Sequence, residues 1–375
     1  MKLKYSILCM IGLVFGTGQL RSQTSGTIVM DEVVRVPARH EIALPDIPGY
    51  VTLKCDFHIH TMFSDGVVWP TVRIDEAWKD GLDVIALTDH IEGHPKKMPG
   101  QIHQQYEIAV PVARAKNIIL VKGGEISRGM PPGHFNALFV TDVNALNLPD
   151  YMDALAEAVR QGAFVIWNHP GWRRQQPDTT RWMAAHETIY QKGWMHGIEV
   201  FNEKEWYPEA LQWAGDKKLA ITGNSDIHDV YDYRYDTGRF PIRPITLVFA
   251  KERTEESLKE AMFARRTATL FFNKLIGPKE YILPLVNQAI QVGKPFLYQD
   301  GFIYFEVKNS SDIEFTLIKT GDDGSGLPAS SILPRRSTVI ARVKQEAGVP
   351  VTYTFKLENV LTGVEQFGEY SFTIK

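Results

Sequence analysis

Cysteine is scarce in this 375-residue chain, which has only Cys9 and Cys55. The first 23 residues resemble a signal peptide, because Lys2 and Lys4 precede the short apolar core Ile7–Phe15. Cys9 lies within that core, so cleavage leaves a single cysteine and no possibility of an internal disulfide. We therefore expect stability to come from packing and from bound metal.

Long apolar runs and an excess of basic residues are also missing. No later apolar segment reaches the length that spans a bilayer, so we expect no transmembrane segment after cleavage. Lys2, Lys4 and Arg21 fall in the leader, which leaves 38 basic and 44 acidic residues, a formal charge of −6. This balance carries no strong nucleic-acid signature. The leader predicts export to the periplasm or the medium, and nothing indicates an oligomeric state.

From Val51 to about Ile227 the chain repeats one unit, an apolar run of strand length, a polar cluster and a stretch of helical periodicity. The apolar runs are Val51–Phe57, Asp83–Thr88, Ile118–Lys122, Phe135–Val140, Ala163–Trp167, Gly197–Phe201 and Leu219–Thr222, with a further strand at Ile245–Ala250. The helical stretches are Val72–Lys79, Tyr151–Arg160, Pro208–Lys217 and, opened by a Thr254-x-x-Ser257 turn, Thr254–Arg265. This alternation indicates an α/β fold with βαβ units around a parallel sheet.

After about Asn273 short alternating runs separated by Gly and Pro turns take over. They predict a small all-β, sandwich-like domain, and the runs are Phe302–Val307, Phe315–Lys319, Thr338–Val343, Val351–Leu357 and Glu369–Ile374. The predicted organisation is a leader over 1–23, a lead-in over 24–50, a catalytic domain over 51–272 and this β domain over 273–375. Since the β domain has no histidine, we expect the chemistry in the preceding domain.

Polar clusters follow the apolar runs at or near their ends. They are Asp56-Phe57-His58-Ile59-His60, Thr88-Asp89-His90, Gly124-Glu125, Asn168-His169 and Asn224-Ser225-Asp226-Ile227-His228. In a (β/α) barrel the carboxyl ends of the strands open on one rim, where the active site gathers. We therefore expect these distant residues to meet in one pocket.

His58 and His60 stand two residues apart at a strand end, which places both rings on the same side. Seven further potential ligands are Asp65, His90, Glu125, His134, His169, Asp226 and His228. Each alone has an ordinary explanation as a helix cap, turn acid or core histidine, but nine together indicate a metal centre. Imidazole and carboxylate without thiolate suit Zn, Mn or Fe.

Catalytic roles follow from this composition. A glutamate such as Glu125 can bridge two cations, and water held between them would ionise near neutral pH and attack a phosphoryl group. His90, His228 or a metal-bound water would assist the leaving group. Three arginines near the clusters in sequence, either phosphate ligands or ordinary surface charges, are Arg128, Arg173 and Arg174.

The ordered set of motifs resembles the PHP (polymerase and histidinol phosphatase) superfamily over Val51 to Ile227 and beyond. The matching segments are Asp56–Thr61, Ser64–Gly66, Leu87–His90, Gly123–Ile126, His134, Asn168–Pro170 and Ser225–His228. The resemblance implies a distorted (β/α)7, TIM-like barrel that binds two or three divalent metal ions. By matching position it implies one metal on His58, His60, Glu125 and Asp226, a second on Glu125, His134 and His169, and a third on Asp65, His90 and His228.

Five features are similar to the exported Sb-PDE type of bacterial phosphodiesterase, namely the leader, the segments Pro45–Tyr50 and Pro131–Asn136, the Asn168–Trp172 motif and the β tail. That similarity implies cleavage of a small-molecule phosphodiester and an association with manganese. Two alternatives stay open, a phosphomonoesterase related to histidinol phosphatase and a non-catalytic protein that binds a glycan or a partner. Export disfavours the first, and nine intact ligand positions disfavour the second.

Several other residues have two possible explanations. Loop residues that either line the pocket or serve elsewhere are His94, His103, Tyr231, Tyr233 and Tyr235. Tryptophans that form either an apolar wall or ordinary packing are Trp69, Trp172, Trp194 and Trp206. A structural or surface role is favoured for His40, His186 and His196, because none follows a predicted strand end.

Overall fold

A computed structural model of the chain describes residues 38–92, 104–231, 243–321 and 324–375. The predicted leader and most of the lead-in lie outside these ranges, as do His94, His103, Tyr233 and Tyr235. Residues Arg39–Lys375 form one compact unit. Within the described ranges no helix has the length and apolar character needed to cross a membrane.

The first part of the described chain carries nine strands. They are β1 Val51–Asp56, β2 Val84–Leu87, β3 Ile119–Ile126, β4 Phe135–Leu138, β5 Phe164–Trp167, β6 Gly197–Asn202, β7 Glu205–Trp206, β8 Ala220–Asn224 and β9 Ile245–Ala250. All but the two-residue β7 were predicted. The strands β1, β2 and β3 are parallel, as are β5, β6 and β8, and β9 pairs antiparallel with β1. The His60 amide donates to the Ile227 carbonyl at 3.1 Å, so the segments after β1 and β8 meet.

The strand β4 corrects the expectation of a parallel sheet, because it runs antiparallel to both β3 and β5. Only eight residues separate Ile126 from Phe135, whereas a parallel crossover needs a dozen or more. The reversal has a functional consequence. It brings the start of β4, rather than its end, to the rim where β3 ends.

Seven helices are described. They are α1 Pro70–Lys79, α2 Gln104–Ala115, α3 Tyr151–Arg160, α4 Ala184–Gln191, α5 Pro208–Lys217, α6 Glu255–Phe263 and α7 Lys279–Ala289. The bounds of α3 and α5 are those predicted. The Asp150 side chain accepts from the Met152 amide at 2.6 Å and begins α3. The Thr254 side chain accepts from the Ser257 amide at 3.2 Å, which is the predicted turn that opens α6.

Both faces of the central strands are covered. In β2 every residue is buried, with Val84 and Ala86 in one apolar cluster and Ile85 and Leu87 in another. Burial on both faces is typical of parallel strands in α/β proteins. It also explains why this strand is a continuous apolar run rather than an alternating pattern.

The C-terminal part contains ten strands in the described ranges. They are β10 Thr267–Phe271, β11 Lys274–Ile276, β12 Ile290–Val292, β13 Leu297–Gln299, β14 Phe302–Asn309, β15 Phe315–Lys319, β16 Ser330–Leu333, β17 Ser337–Lys344, β18 Val351–Gly363 and β19 Gln366–Ile374. The strands β12, β13, β14 and β17 form one sheet, and β15, β16, β18 and β19 belong to the other. Phe305 and Phe372 join these sheets, with ring centroids 5.6 Å apart. The sandwich-like region is confirmed.

Two features of this region were not predicted. The helix α7 interrupts the expected all-β pattern, although its buried residues Ile282, Leu285, Val286 and Ala289 have helical spacing. Pro284 lies inside α7, and a proline normally signals a break. Secondly, β11 pairs in parallel with β18, so one sheet runs from the barrel strands into the sandwich. The domain boundary at residue 273 stays a prediction.

Candidate metal centre

His58 and His60 follow β1, and both side chains are fully buried. The Nε2 atom of each ring lies 3.1 Å from Asp226 Oδ1. Among the described residues, none of these three atoms has a partner in hydrogen-bonding geometry. Buried polar atoms normally have one. The convergence of these two ring nitrogens and one carboxylate oxygen fits a cation bound between them.

Glu125 lies near the end of β3 and is surrounded by histidines. Its Oε1 atom is 3.0 Å from His134 Nδ1 and 3.4 Å from His58 Nε2, and its Oε2 atom is 2.7 Å from His90 Nδ1. The side-chain amide of Asn168 donates to Oε1 at 2.9 Å. A carboxylate with ligand-type atoms on both oxygens has the geometry that the predicted bridging role requires.

His134 and His169 both lie beside Glu125, although one precedes a strand and the other follows one. His134 precedes the antiparallel strand β4, which explains how a residue at the start of a strand joins a rim of strand ends. His169 follows β5, and its Nε2 atom is 3.6 Å from Glu125 Oε1 and 3.9 Å from Asp226 Oδ2. The two rings lie edge to face with centroids 4.9 Å apart.

Asp65, His90 and His228 form the outer side of the cluster. The His90 and His228 Nε2 atoms lie 3.4 Å and 3.2 Å from the Asp65 carboxylate, whose side chain is 46% exposed. Gly66 allows this turn, because a Cβ atom there would come within 2.8 Å of the backbone of His60 and Thr61. This group is the most accessible part of the centre.

The two central carboxylates are held in their charged form. Burial opposes ionisation of Glu125, but His90 and His134 keep its pKa well below the usual range. Burial likewise opposes ionisation of Asp226, and His58 outweighs it, so that pKa is also well below its usual range. Charged acids in a buried place need a positive partner.

The pKa values of His60 and His90 are shifted in opposite directions. Burial, together with His228 and His90, lowers the pKa of His60 to about 3. Burial also works against protonated His90, but Glu125 and Asp65 prevail and raise its pKa to about 10. A neutral, desolvated imidazole such as that of His60 is a good metal ligand.

All nine predicted ligands therefore meet in one place. Four groups have ligand atoms within 4.8 Å of one another, and they are His60, Asp65, His90 and His228; His58, His60 and Asp226; His58, Glu125 and His169; and His90, Glu125 and His134. The nitrogen and carboxylate donors suit Zn, Mn or Fe. The residues present fit divalent metal ions, and the assignment of each residue to a particular ion stays a prediction.

Three supporting acids have no role in the sequence prediction. Asp89 accepts from the Thr61 amide and hydroxyl at 2.7 Å and from Ser64 Oγ at 2.6 Å, which holds the turn after His60. Asp56 accepts from Ser225 Oγ at 2.5 Å and so joins the first motif to the last. Both belong to the quoted motifs. The third, Glu199, lies inside β6 rather than at its end, so the pattern of polar clusters after strands does not include it.

A cavity of about 330 Å³ opens over the cluster. Its walls beyond the candidate ligands are Trp172, Arg174, Asn202, Glu203 and Glu205. Of the predicted phosphate-binding arginines, Arg174 lines this cavity and Arg173 lines a neighbouring one. Arg128 pairs with Glu92 and donates to the Leu148 carbonyl at 2.7 Å. Phosphate binding by these arginines stays a prediction.

The other histidines and tryptophans mostly have structural environments. His186 and His196 are largely buried and accept hydrogen bonds from the Met183 and Val165 amides at 2.9 and 3.0 Å. His40 is exposed. Trp172 contacts His134 and His169 and is the predicted tryptophan that lines the cavity. Tyr231 is buried, with Arg243 over its ring.

Comparisons with known proteins place the chain in a family. No family model matches this sequence, and neither does any curated protein. Among solved structures, a two-domain protein from Bacteroides vulgatus, described as containing a predicted PHP-like metal-dependent phosphoesterase, is 40% identical with a TM-score of 0.86. The match covers 90% of this chain and 100% of the relative. The chain belongs to the PHP-like metal-dependent phosphoesterases.

Family membership confirms the predicted superfamily and fold. Together with the four ligand groups, it supports a PHP-like phosphoesterase that uses divalent metal ions. A candidate metal-dependent phosphoesterase from Bifidobacterium adolescentis is 16% identical with a TM-score of 0.40, over 56% of this chain and 96% of that one. That second likeness is too remote to inform on function.

Proposed function

We propose that this PHP-like phosphoesterase is an exported, metal-dependent phosphodiesterase. The observation that carries the proposal is the convergence of nine His, Asp and Glu side chains beneath one cavity. Divalent ions bound here would neutralise charge on phosphoryl oxygens and lower the pKa of water. Manganese is the ion we propose first, and two or three ions per chain is the proposed number.

The protein's own groups would orient the ester and manage protons. Arg174 lies at the cavity wall, where its guanidinium would bind a phosphate oxygen. Hydrolysis forms a bond from a water oxygen to phosphorus, with loss of a proton from that water, and breaks the bond to the leaving oxygen, which takes up a proton. His90 and His228 both line the cavity, and either would donate that proton when it does not bind an ion.

The choice of a diester rests on two features. The first is the resemblance of the leader and motifs to exported phosphodiesterases. The second is the size of the cavity, because its volume of about 330 Å³ and a lining that includes Trp172 and Asn202 as well as the candidate ligands would leave room for a second ester substituent. The nearest rival is a phosphomonoesterase, which would need only a phosphate-sized site.

Metal content and substrate preference test the proposal together. Purified full-length protein, reconstituted with Mn²⁺ and desalted, should retain about two or three ions per chain, whereas less than one would exclude the multinuclear centre. Bis-aryl phosphate should then be hydrolysed faster than mono-aryl phosphate. Faster turnover of the monoester would select the rival enzyme, and turnover of neither, despite full metal loading, would select a binding protein.

Export has its own experiment. The full chain, expressed in a Gram-negative host, should be found in the periplasm or the medium with its N-terminus shortened by about 23 residues. The matched control changes Leu13 to Arg, which interrupts the apolar core of the leader and should retain the uncleaved protein in the cytoplasm. Uncleaved, cytoplasmic wild-type protein would contradict export.

A further inference from the structure

Glu199 is a completely buried carboxylate in the middle of β6, outside all the predicted motifs. Its Oε1 atom lies 3.0 Å from His58 Nδ1 and accepts from Asn224 Nδ2 at 2.9 Å. Its Oε2 atom accepts from the His169 backbone amide at 2.7 Å and from Asn202 Nδ2 at 2.9 Å. Four donor groups therefore surround the two oxygens.

Two of these donors belong to candidate ligands of one ion. His58 and His169, with Glu125, form one of the four groups whose ligand atoms converge. A hydrogen bond from His58 Nδ1–H to Glu199 leaves Nε2 as the unprotonated atom, and Nε2 is the atom that faces Asp226 at 3.1 Å. The same carboxylate holds the backbone of His169, whose φ is 28°.

The orientation of Glu199 is itself fixed by its neighbours. Asn224 Nδ2 donates to Glu199, while Asn224 Oδ1 accepts from the Phe57 backbone amide at 2.9 Å. The Asn224 side chain therefore cannot rotate without losing both hydrogen bonds. No oxygen of Glu199 lines the cavity. It therefore contacts neither substrate nor solvent, and any effect on chemistry passes through His58 and His169.

We propose that Glu199 is a positioning residue of the metal centre, which selects the His58 tautomer and orients His58 and His169 towards a shared divalent ion. Carboxylates that accept the second ring N–H of a ligating histidine typically change metal affinity 10- to 100-fold when removed. The inference rests on the metal centre of the proposed function and is independent of the ester that is cleaved.

The test is the affinity of chelator-stripped full-length protein for Mn²⁺ alone, measured by calorimetry for wild type and Glu199→Gln. Glutamine keeps the size of the side chain but turns an –NH₂ group towards two donors. We expect Mn²⁺ binding to weaken about 10- to 100-fold, and the Mn²⁺ paramagnetic resonance spectrum to change. Wild-type affinity in a folded Glu199→Gln protein would overturn the inference.

Controls separate positioning from general stabilisation. Asp312→Asn removes another buried carboxylate, which lies in the C-terminal region and accepts from Arg336 and from the Ala43 amide. This variant should leave Mn²⁺ affinity unchanged. Should Glu199→Gln fail to fold, Asn202→Ala removes only one of the four donors and should still weaken Mn²⁺ binding by roughly threefold or more. Unchanged affinity there would also overturn the inference. Wild-type protein that binds no Mn²⁺ would instead refute the manganese centre of the proposed function.

Discussion

Asn168 donates a hydrogen bond from Nδ2 to Glu125 Oε1 across 2.9 Å, at the buried centre of the rim. This bond fixes the plane of a carboxylate whose two oxygens face different histidines, His134 on one side and His90 on the other. Because burial strengthens electrostatic interactions, a small rotation of this group would alter the whole centre. The effect of removing the Glu125 carboxylate can be measured.

Glu125→Ala should abolish phosphoester hydrolysis while the fold is retained. Metal-ion catalysis supplies several kcal/mol of transition-state stabilisation, so we expect a loss of about 1,000-fold or more in kcat/KM. The partly exposed acid Glu187, which pairs with Lys217, provides the control, and Glu187→Ala should keep the wild-type rate. Circular dichroism checks the fold. Near-normal turnover in folded Glu125→Ala would disprove the bridging role.

Removal of metal should lower the melting temperature. The carboxylates of Glu125 and Asp226 would lose the bound cations when the ions leave, and an ion present at about 1,000 times its Kd stabilises by roughly 4 kcal/mol. Adding Mn²⁺ or Zn²⁺ back should restore the melting temperature, whereas Mg²⁺ should not, because imidazole ligands suit it poorly. Equal rescue by Mg²⁺ would contradict the nitrogen-rich site. Differential scanning calorimetry measures each step.

Arg73 should be essential for stability. Its buried guanidinium donates to the carbonyls of His60 and His228 at 2.9 Å and pairs with Glu76 at 2.7 Å, so it ties the first and last ligand segments together. Breaking a buried ion pair by removing one partner costs about 3–5 kcal/mol, which we expect for Arg73→Ala in urea unfolding. Arg160, exposed and paired with its helix neighbour Glu157, is the control, and Arg160→Ala should change little. Similar urea midpoints for the two variants would show that the hydrogen bonds of Arg73 contribute little to stability.

His186 should make the protein less stable in acid. Burial lowers its pKa to about 4, and the ring lies in stacking contact with Trp167. The unfolded chain, with a histidine pKa near 6.5, binds the proton more readily, so stability falls as the pH drops from about 6.5 to 4. The contribution is up to about 3 kcal/mol across this window. The free energies of unfolding of wild type and His186→Gln, measured as a function of pH, should therefore converge at low pH. A constant difference between them would be inconsistent with a neutral buried ring.

Arg174 should affect substrate binding more than Arg128. Arg174 lies over Trp172 at the cavity wall, whereas Arg128 already pairs with Glu92. Since an exposed charge contributes about 1 kcal/mol or less, Arg174→Ala should raise KM for a bis-aryl phosphate roughly 3- to 5-fold with little change in kcat. Arg128→Ala is the matched comparison. A larger KM effect there would reverse the assignment.

Much of the fold could be predicted because local pattern and packing agree. The helices α3 and α5 have the predicted bounds, since their apolar periodicity, a capping Asp150 and an opening Pro208 all indicate the same segments. The helix α7 was missed because Pro284 contradicts its apolar spacing. Local signals in conflict are resolved by packing, and here the buried face decides for the helix.

The sequence by itself predicted which side chains converge, because most of them follow strand ends, and the strand ends of an α/β barrel open on one rim. Only the tertiary structure decided how His134 arrives there, since the direction of β4 depends on its pairing with β3 and β5. Only the structure placed Glu199 behind His58. Hydrogen bonds between residues 141 positions apart leave no local pattern, because they arise from the packing of strands that are neighbours in space alone.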